Sequence, residues 1–403
     1  MSERTYDVVL YGASGFTGQQ TVQYFADHAP DHLKWAIAGR NRQKLEAVRT
    51  KVGCETVDIL VADGRDQVGT DAIATQTRIV LTTAGPFALY GQAMVDACVR
   101  SHTHYVDITG ETAWVRSLIE TYHEQAATQG TRIIPLCGFD SVPSDLGAYL
   151  MVRYLQQLGK SCKVVKAYFE AAGGFNGGTL ASAYNLIDAG QWSQMGDPYL
   201  LNPPEVRPET AAEDLQWSQY DQDLGAWVAP FFMGPVNTRV VRRSSALYSQ
   251  WQDPYGSQFT YQESLVFQGP LSGLKATVTT VGTGLLVAMM QQPWVRRSLL
   301  QPNFPQPGEG PSEQVMDEGW FRCQLLAIDE EGGQHRGLIY NPGDPGNRST
   351  VKFLCESALA LALDFERLPG GPQRGGVLTP ATGLGDVLAD RLRQAGTTIE
   401  VPI

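Results

Sequence analysis

Between residues 6 and 144, apolar positions fall in short continuous runs separated by stretches of helical character. Val8-Val9-Leu10, Ile79-Val80-Leu81 and Ile133-Ile134 lack the alternation of a half-exposed strand, as expected of strands covered on both faces. Strands are predicted over 7–11, 35–39, 55–61, 78–83, 105–108 and 132–137, alternating with helices as in a doubly wound parallel sheet.

Beyond Pro143 the rhythm changes. A helix is predicted over 145–158, a strand over 163–170, then the glycine cluster Gly173-Gly174-Phe175-Asn176-Gly177-Gly178 and a helix over 179–189. Residues 196–235, rich in Pro, Trp and acidic side chains, read as an irregular excursion. Strands around 257–267 and 320–329 alternate polar and apolar positions, which predicts antiparallel pairing. Helices over 349–362 and 386–394 close the chain.

The first strand runs straight into Gly12-Ala13-Ser14-Gly15-Phe16-Thr17-Gly18, which opens a helix over 17–28. In this spacing the first glycine permits the tight turn, the second lets backbone approach a pyrophosphate, and the third lets the helix pack on the sheet. Free N–H groups of the first helical turn then take up phosphate charge, helped by the helix dipole. The fold class is therefore α/β: an N-terminal Rossmann-type doubly wound parallel sheet over 1–143, followed by a second α+β domain. That second domain, 144–348, is expected to hold substrate or a second copy of the chain, with a helical segment, 349–403, packing back on the first.

The tip of the second strand chooses between dinucleotides. An acidic residue there holds the ribose 2′-hydroxyl of NAD, whereas a cation accommodates the 2′-phosphate of NADP. Arg40 stands at this point, followed by Asn41, and no acidic residue does, so the cofactor is predicted to be NADP. Asp63, ending the third strand, either accepts from the adenine amino group or caps the next helix. Thr83-Ala84-Gly85-Pro86-Phe87 ends the fourth strand with small residues where the nicotinamide ribose would lie.

Hydride transfer asks for alignment, dryness and a proton source. Candidates at the same edge are Tyr90, Asp107, Glu111 and Asp140; Glu111 and Asp140 read equally as helix caps, and Asp107 as a backbone or ribose contact. Tyr184 and Asn185 read as pocket lining or as ordinary helix surface or core. His102 and His104 form an HxH pair without a third ligand at metal spacing, so no metal is predicted. No GxSxG elbow accompanies any serine.

Composition narrows the partners. The 403 residues carry a formal charge of −11, a field that repels nucleic acid and anionic bilayers. Six scattered cysteines without a CxxC pair read as reduced thiols in the cytoplasm, and residues 1–5 leave no room for a secretion signal before the first strand. The apolar run within 274–300 is expected to fall short of a bilayer span. It reads as a buried helix or a contact in a homodimer. Because Trp294, Arg296 and Arg297 end it, a peripheral membrane contact through 281–297 or the lining of an apolar substrate tunnel is the alternative.

Taken together, 8–18, Ala38-Gly39-Arg40, Ala84-Gly85-Pro86-Phe87, 105–111 and 138–145 resemble the saccharopine dehydrogenase-like oxidoreductases, and within them the branch that includes the trans-acting enoyl reductases. The likeness continues through 308–312, Asp344-Pro345-Gly346 and 376–381, nearly the whole chain. The resemblance implies an NADP-binding domain, an inserted substrate domain and a C-terminal segment returning to the first domain. Enoyl reduction of a small hydrophobic polyketide-, lipid- or isoprenoid-like substrate is the favoured chemistry. Saccharopine-type C–N chemistry needs an arginine cluster for several carboxylates, and Arg239, Arg242, Arg243, Arg296 and Arg297 read equally as surface. A third reading is a protein that binds NADP as a sensor or scaffold without turnover.

Overall fold

Two seven-stranded sheets carry the chain. The N-terminal apolar runs become β1 (Tyr6–Tyr11), β2 (Trp35–Gly39), β3 (Asp58–Val61), β4 (Thr77–Thr82), β5 (His104–Asp107) and β6 (Arg132–Ile134). The middle of the chain supplies β7 (Cys162–Ala172), β8 (Gln219–Asp221), β9 (Ala226–Pro230), β10 (Thr260–Phe267), β11 (Trp320–Asp329) and β12 (Gln334–Pro342). The C-terminal stretch adds β13 (Gly376–Val377) and β14 (Thr398–Glu400). The computed structural model describes residues 4–174, 176–208, 213–306 and 308–402; Phe175 of the glycine cluster and residues 209–212 of the excursion lie outside the described residues.

The first sheet is parallel, in the order β13-β6-β5-β4-β1-β2-β3. Strand order turns back between β1 and β4, and such a switch point opens a crevice at the carboxyl edge. Val8, Val9, Ile79, Val80, Ile133 and Ile134 are fully buried, each contributing roughly 1.5–3 kcal/mol against the entropy of ordering the chain. The second sheet has the order β14-β12-β11-β7-β10-β9-β8.

Several expectations need correction. The sixth strand stops at Ile134 instead of reaching 137, because Pro135 has no N–H for the ladder and Leu136 turns to φ +66°. The excursion over 196–235 contains β8 and β9, antiparallel to each other. The strand near 257–267 is antiparallel to β9 but parallel to β7, the long connection over 173–259 serving as the crossover that a parallel pair requires. The C-terminal segment serves both sheets: the helix Thr350–Leu363 packs on β1, β4 and β5, and β13 extends the first sheet, whereas β14 extends the second.

The helix Ser272–Gln291 overturns the buried-helix reading. It also corrects the expected shortfall in length: with 20 residues and mean hydropathy of 1.3 in its most apolar window it is long and apolar enough to cross a membrane, yet only 17% of that window is buried. Ala276 and Thr280 face β9 and β10, and Gly273 lies against the Trp227 ring, while Leu274, Val278, Val281 and Leu285 face outward.

The helix Val142–Gln157 joins the two sheets. It leaves the first sheet after β6 and packs on β7, β11 and β12, with Gly147 lying where a Cβ would come 3.0 Å from Leu325. Phe139, just before it, contacts Phe321 at 4.8 Å and Phe169 at 6.1 Å between ring centroids. Anchoring Phe139 in this cluster fixes the backbone that carries the next residue, Asp140.

Candidate active site and cofactor cradle

The glycine loop has the geometry its spacing predicts. Gly12 adopts φ +87°, and a Cβ there would come 2.9 Å from the Ala84 nitrogen. At Gly18 a Cβ would lie 2.1 Å from the Gly12 carbonyl, so helix and loop can close only around glycine. Gly12 and Ala13 donate to the Ala38 carbonyl, and Thr83 Oγ1 donates to the Gly12 carbonyl, clamping the loop between β2 and β4. The helix Phe16–His28 starts at Gly15 with no side-chain cap, leaving the amides of Phe16, Thr17 and Gly18 beside Ser14 for an anion. By contrast, Asn41 caps Arg42–Val52, accepting from Lys44 N at 3.0 Å.

Arg40 projects from the tip of β2, exposed and without an ion pair among the described residues. Asp63 lies near it but is engaged by Arg65, whose backbone N–H bonds it at 2.9 Å and holds its carboxyl below the usual range. The cradle, the uncapped helix and the free guanidinium fit an adenosine carrying a 2′-phosphate.

The catalytic candidates separate by their partners. Glu111 is 3% exposed and accepts from Phe87 N at 2.8 Å, Ala88 N at 3.0 Å and Ser182 Oγ at 2.7 Å. It braces the Gly85-Pro86-Phe87 turn rather than standing free. Asp107 is fully buried and accepts from Tyr105 Oη, Thr109 N and Leu136 N, tying the ends of β5 and β6; burial pushes its carboxyl up to about 7. Tyr90 is drawn toward the β3 side, with the Arg65 guanidinium 5.6 Å from its ring centroid. Asp140 differs: it is partly exposed beside Gly110, no group among the described residues bonds it, and burial alone pushes its carboxyl up to about 6.

Residues outside the cofactor and catalytic candidates complete the site. The segment after the helix Ser272–Gln291 roofs the cradle: a Cβ on Gly310 would lie 2.3 Å from the Phe16 ring, and Gly177 N donates to the Glu309 carbonyl. Arg348 Nη1 donates to Gln20 Oε1 at 2.9 Å, fastening the second domain to the dinucleotide helix. Nothing local in sequence marks Ser182 or Arg348; the glycines at 308 and 310 were the available signal. Next to Pro86 lies a cavity of about 330 Å³, lined by Leu89, Leu180, Ala181, Tyr184, Phe304 and Pro305, with Asn185, Asp188, Gln301 and Gln306 as polar groups. Tyr184 and Asn185 therefore line a pocket.

The buried arginines are not surface. Arg239 and Arg242 both pair with Asp214 and donate to backbone carbonyls, Arg243 donates to the carbonyls of Leu201 and Val377, and Arg296 pairs with Asp188. Only Arg297 of the five is exposed. His104 of the HxH pair is also committed, accepting from Arg132 N at 3.1 Å.

A crevice at the strand-order switch, a glycine cradle and a free guanidinium at the second strand define an NADP-dependent oxidoreductase. The family model described as the saccharopine dehydrogenase NADP binding domain matches residues 8–134. A Mycobacterium tuberculosis protein named for trans-acting enoyl reductase activity is 37% identical over 98% of this chain and 97% of its own. The trans-acting enoyl reductase of Mycobacterium ulcerans is 34% identical, covering 99% of this chain and 98% of its own. The chain belongs to the saccharopine dehydrogenase-like oxidoreductase family, in the branch of the trans-acting enoyl reductases. A solved structure of apo saccharopine dehydrogenase (L-Glu forming) from Saccharomyces cerevisiae superposes with a TM-score of 0.53 at 13% identity, covering 99% of this chain and 100% of that one, a likeness of fold alone.

Proposed function

We propose that the protein reduces a C=C bond conjugated to a carbonyl, in a small apolar acyl substrate, at the expense of NADPH. One observation carries the choice of substrate: the cavity beside Pro86 is walled mainly by apolar side chains, while the four buried arginines of the second domain are engaged by carboxylates and backbone carbonyls. A substrate with several carboxylates needs free cations, and an apolar chain needs only a dry wall.

When bound, NADPH supplies hydride to the β-carbon. The chain's part is alignment and a proton. Glu111, holding the amides of Phe87 and Ala88, sets the turn that floors the cavity. Tyr184 and Asn185 line it with groups that can donate to the substrate carbonyl oxygen, where negative charge develops. Asp140, its carboxyl raised to about 6, is the acid for the α-carbon, poised near working pH as a general acid should be. Six unpaired cysteines, most of them buried, accord with a reducing cytoplasm, and the charge of −11 with a partner that is no nucleic acid.

The test follows NADPH absorbance with a short-chain 2-enoyl thioester and, separately, with saccharopine and NADP. Turnover of the thioester alone is expected. Turnover of saccharopine alone would replace enoyl reduction with C–N chemistry, and NADPH binding without turnover of either would favour the sensor reading.

A further inference from the structure

The outward face of the helix Ser272–Gln291 has an order of its own. Leu271, Leu274, Val278, Val281, Leu285 and Ala288 are all exposed, and they follow one another at spacings of three and four residues. That is the spacing of the apolar seam between two paired helices, whereas a helix resting on its own protein should carry its apolar stripe on the inner side. Here the inner side is occupied as well, by Ala276 and Thr280 against β9 and β10. The inner face, of small residues and threonines, is the one that is covered, while nothing among the described residues covers the apolar stripe on the outer side.

We propose that this face pairs antiparallel with the same face of a second copy of the chain, across a two-fold axis between Val278 and Val281. The stripe is complementary to itself in that register, as an isologous interface requires. Leu274 meets the second copy's Leu285, Val278 its Val281, and Leu271 its Ala288. Lys275, the only charge on the helix, then lies opposite Gly284 and not opposite its own copy.

Area agrees with the pairing. Leu271 is 70% exposed, Leu274 60%, Val278 62%, Val281 51% and Leu285 60%, and Trp294 beyond the helix end is 78% exposed. The five stripe residues present roughly 500 Å², at the upper end of the roughly 300–600 Å² patch a monomer leaves open, and with the ~200 Å² of Trp294 beside the seam the face approaches the ~800 Å² one partner gives to a standard interface. A bilayer surface fits less well. Interfacial helices carry a basic polar face, and this one has a single lysine in a protein of charge −11.

The experiment measures molar mass by light scattering at micromolar concentration, with flotation on anionic phosphatidylserine-containing vesicles alongside. Wild type is expected at twice 44.0 kDa without flotation, and the double variant Val281→Glu/Leu285→Glu at 44.0 kDa with NADPH binding intact. If that variant misfolds, Val278→Cys and Val281→Cys chains in a Cys54→Ser background, mixed and treated with a short bis-maleimide, are expected to cross-link to each other. A monomeric wild type, with or without flotation, would overturn the pairing. So would a dimer that survives the double variant, or an absent cross-link in a mixture that is still dimeric.

Discussion

The carboxyl edge of the first sheet and the layer between the two sheets use the same residue types in opposite ways. At the edge, Arg40 and Asp140 have no partner among the described residues and the helix Phe16–His28 opens without a side-chain cap. Between the sheets, Arg239, Arg242 and Arg243 are buried and spent on carbonyls or Asp214, while Asp145 accepts from Ser244 Oγ and Ala381 N. Burial of a polar group is costly unless it is bonded, so a site that must bind something else keeps its groups unbonded and near water. The contrast separates function from architecture better than residue identity does.

The largest effect that can break this contrast is expected at Asp140. If the free carboxyl is the proton donor, Asp140→Asn lowers kcat roughly 100-fold to 10,000-fold, with NADPH affinity and melting temperature near wild type. In wild type kcat falls as pH rises through about 6, where the acid form is lost, and the variant loses that limb. A variant with unchanged kcat would move Asp140 to the architectural side.

Arg243 tests the other side. Its guanidinium bonds the carbonyls of Leu201 and Val377 at 2.6 Å each, and burial holds its ionisation down to about 9. Arg243→Met leaves both carbonyls without a donor and is expected to cost about 3 kcal/mol, read as a lower urea midpoint. Residual folded protein should bind NADPH as wild type does. A stable variant with lost substrate turnover would instead make Arg243 part of the site and revive a carboxylate substrate.

Arg40 comes next. Its loss removes a charge-assisted contact to the 2′-phosphate, about 1.5–3 kcal/mol, so Arg40→Ala should weaken NADPH roughly 10-fold to 100-fold in a fluorescence titration and leave NADH unchanged. Equal weakening of both dinucleotides would show that the guanidinium does not read the phosphate.

The cofactor half of this picture was legible because its physics is local: a strand, three glycines and a cation one strand away are fixed by chain order. Six strands of the first sheet were legible for the same reason, apart from ends such as the one set by Pro135; the seventh, Gly376–Val377, is two residues long and joins the sheet only through its long-range partner β6. What sequence did not reveal depends on long-range neighbours. Glu111 and Asp140 look alike on paper, two acids near strand ends, and only Ser182 and the amides of Phe87 and Ala88 tell them apart. Likewise the arginines of the second domain were unreadable until Asp214, Leu201 and Val377 were seen around them. The helix Ser272–Gln291 misled for the opposite reason: its apolarity predicted burial, but among the described residues no element covers the outer face.

The smallest effect sharpens the comparison among carboxyls. Glu263, like Asp140, is raised by burial, to about 7, but it accepts from Ser144 Oγ and Tyr261 Oη at 2.8 Å and from Asn237 Nδ2 at 2.9 Å. Asp107 and Asp145 are likewise raised to about 7 and bonded. The folded protein keeps protons on these groups that the unfolded chain has already released, so their contribution to stability is complete below the ordinary carboxyl range and is lost as pH rises through about 7. His104 and His123, pushed down to about 3 and about 4, act in the opposite sense, but their effect is spent once pH passes the ordinary imidazole value near 6.5. Between pH 6.5 and 8 the bonded carboxyls dominate, and the urea midpoint should fall across that window. Glu263→Gln keeps a carbonyl for Asn237 and an amide that Ser144 and Tyr261 can accept from; it should flatten the fall without changing the pH profile of kcat. A flattened rate profile in this variant would mean that a fully bonded carboxyl titrates with catalysis, and bonding state would no longer distinguish the two regions.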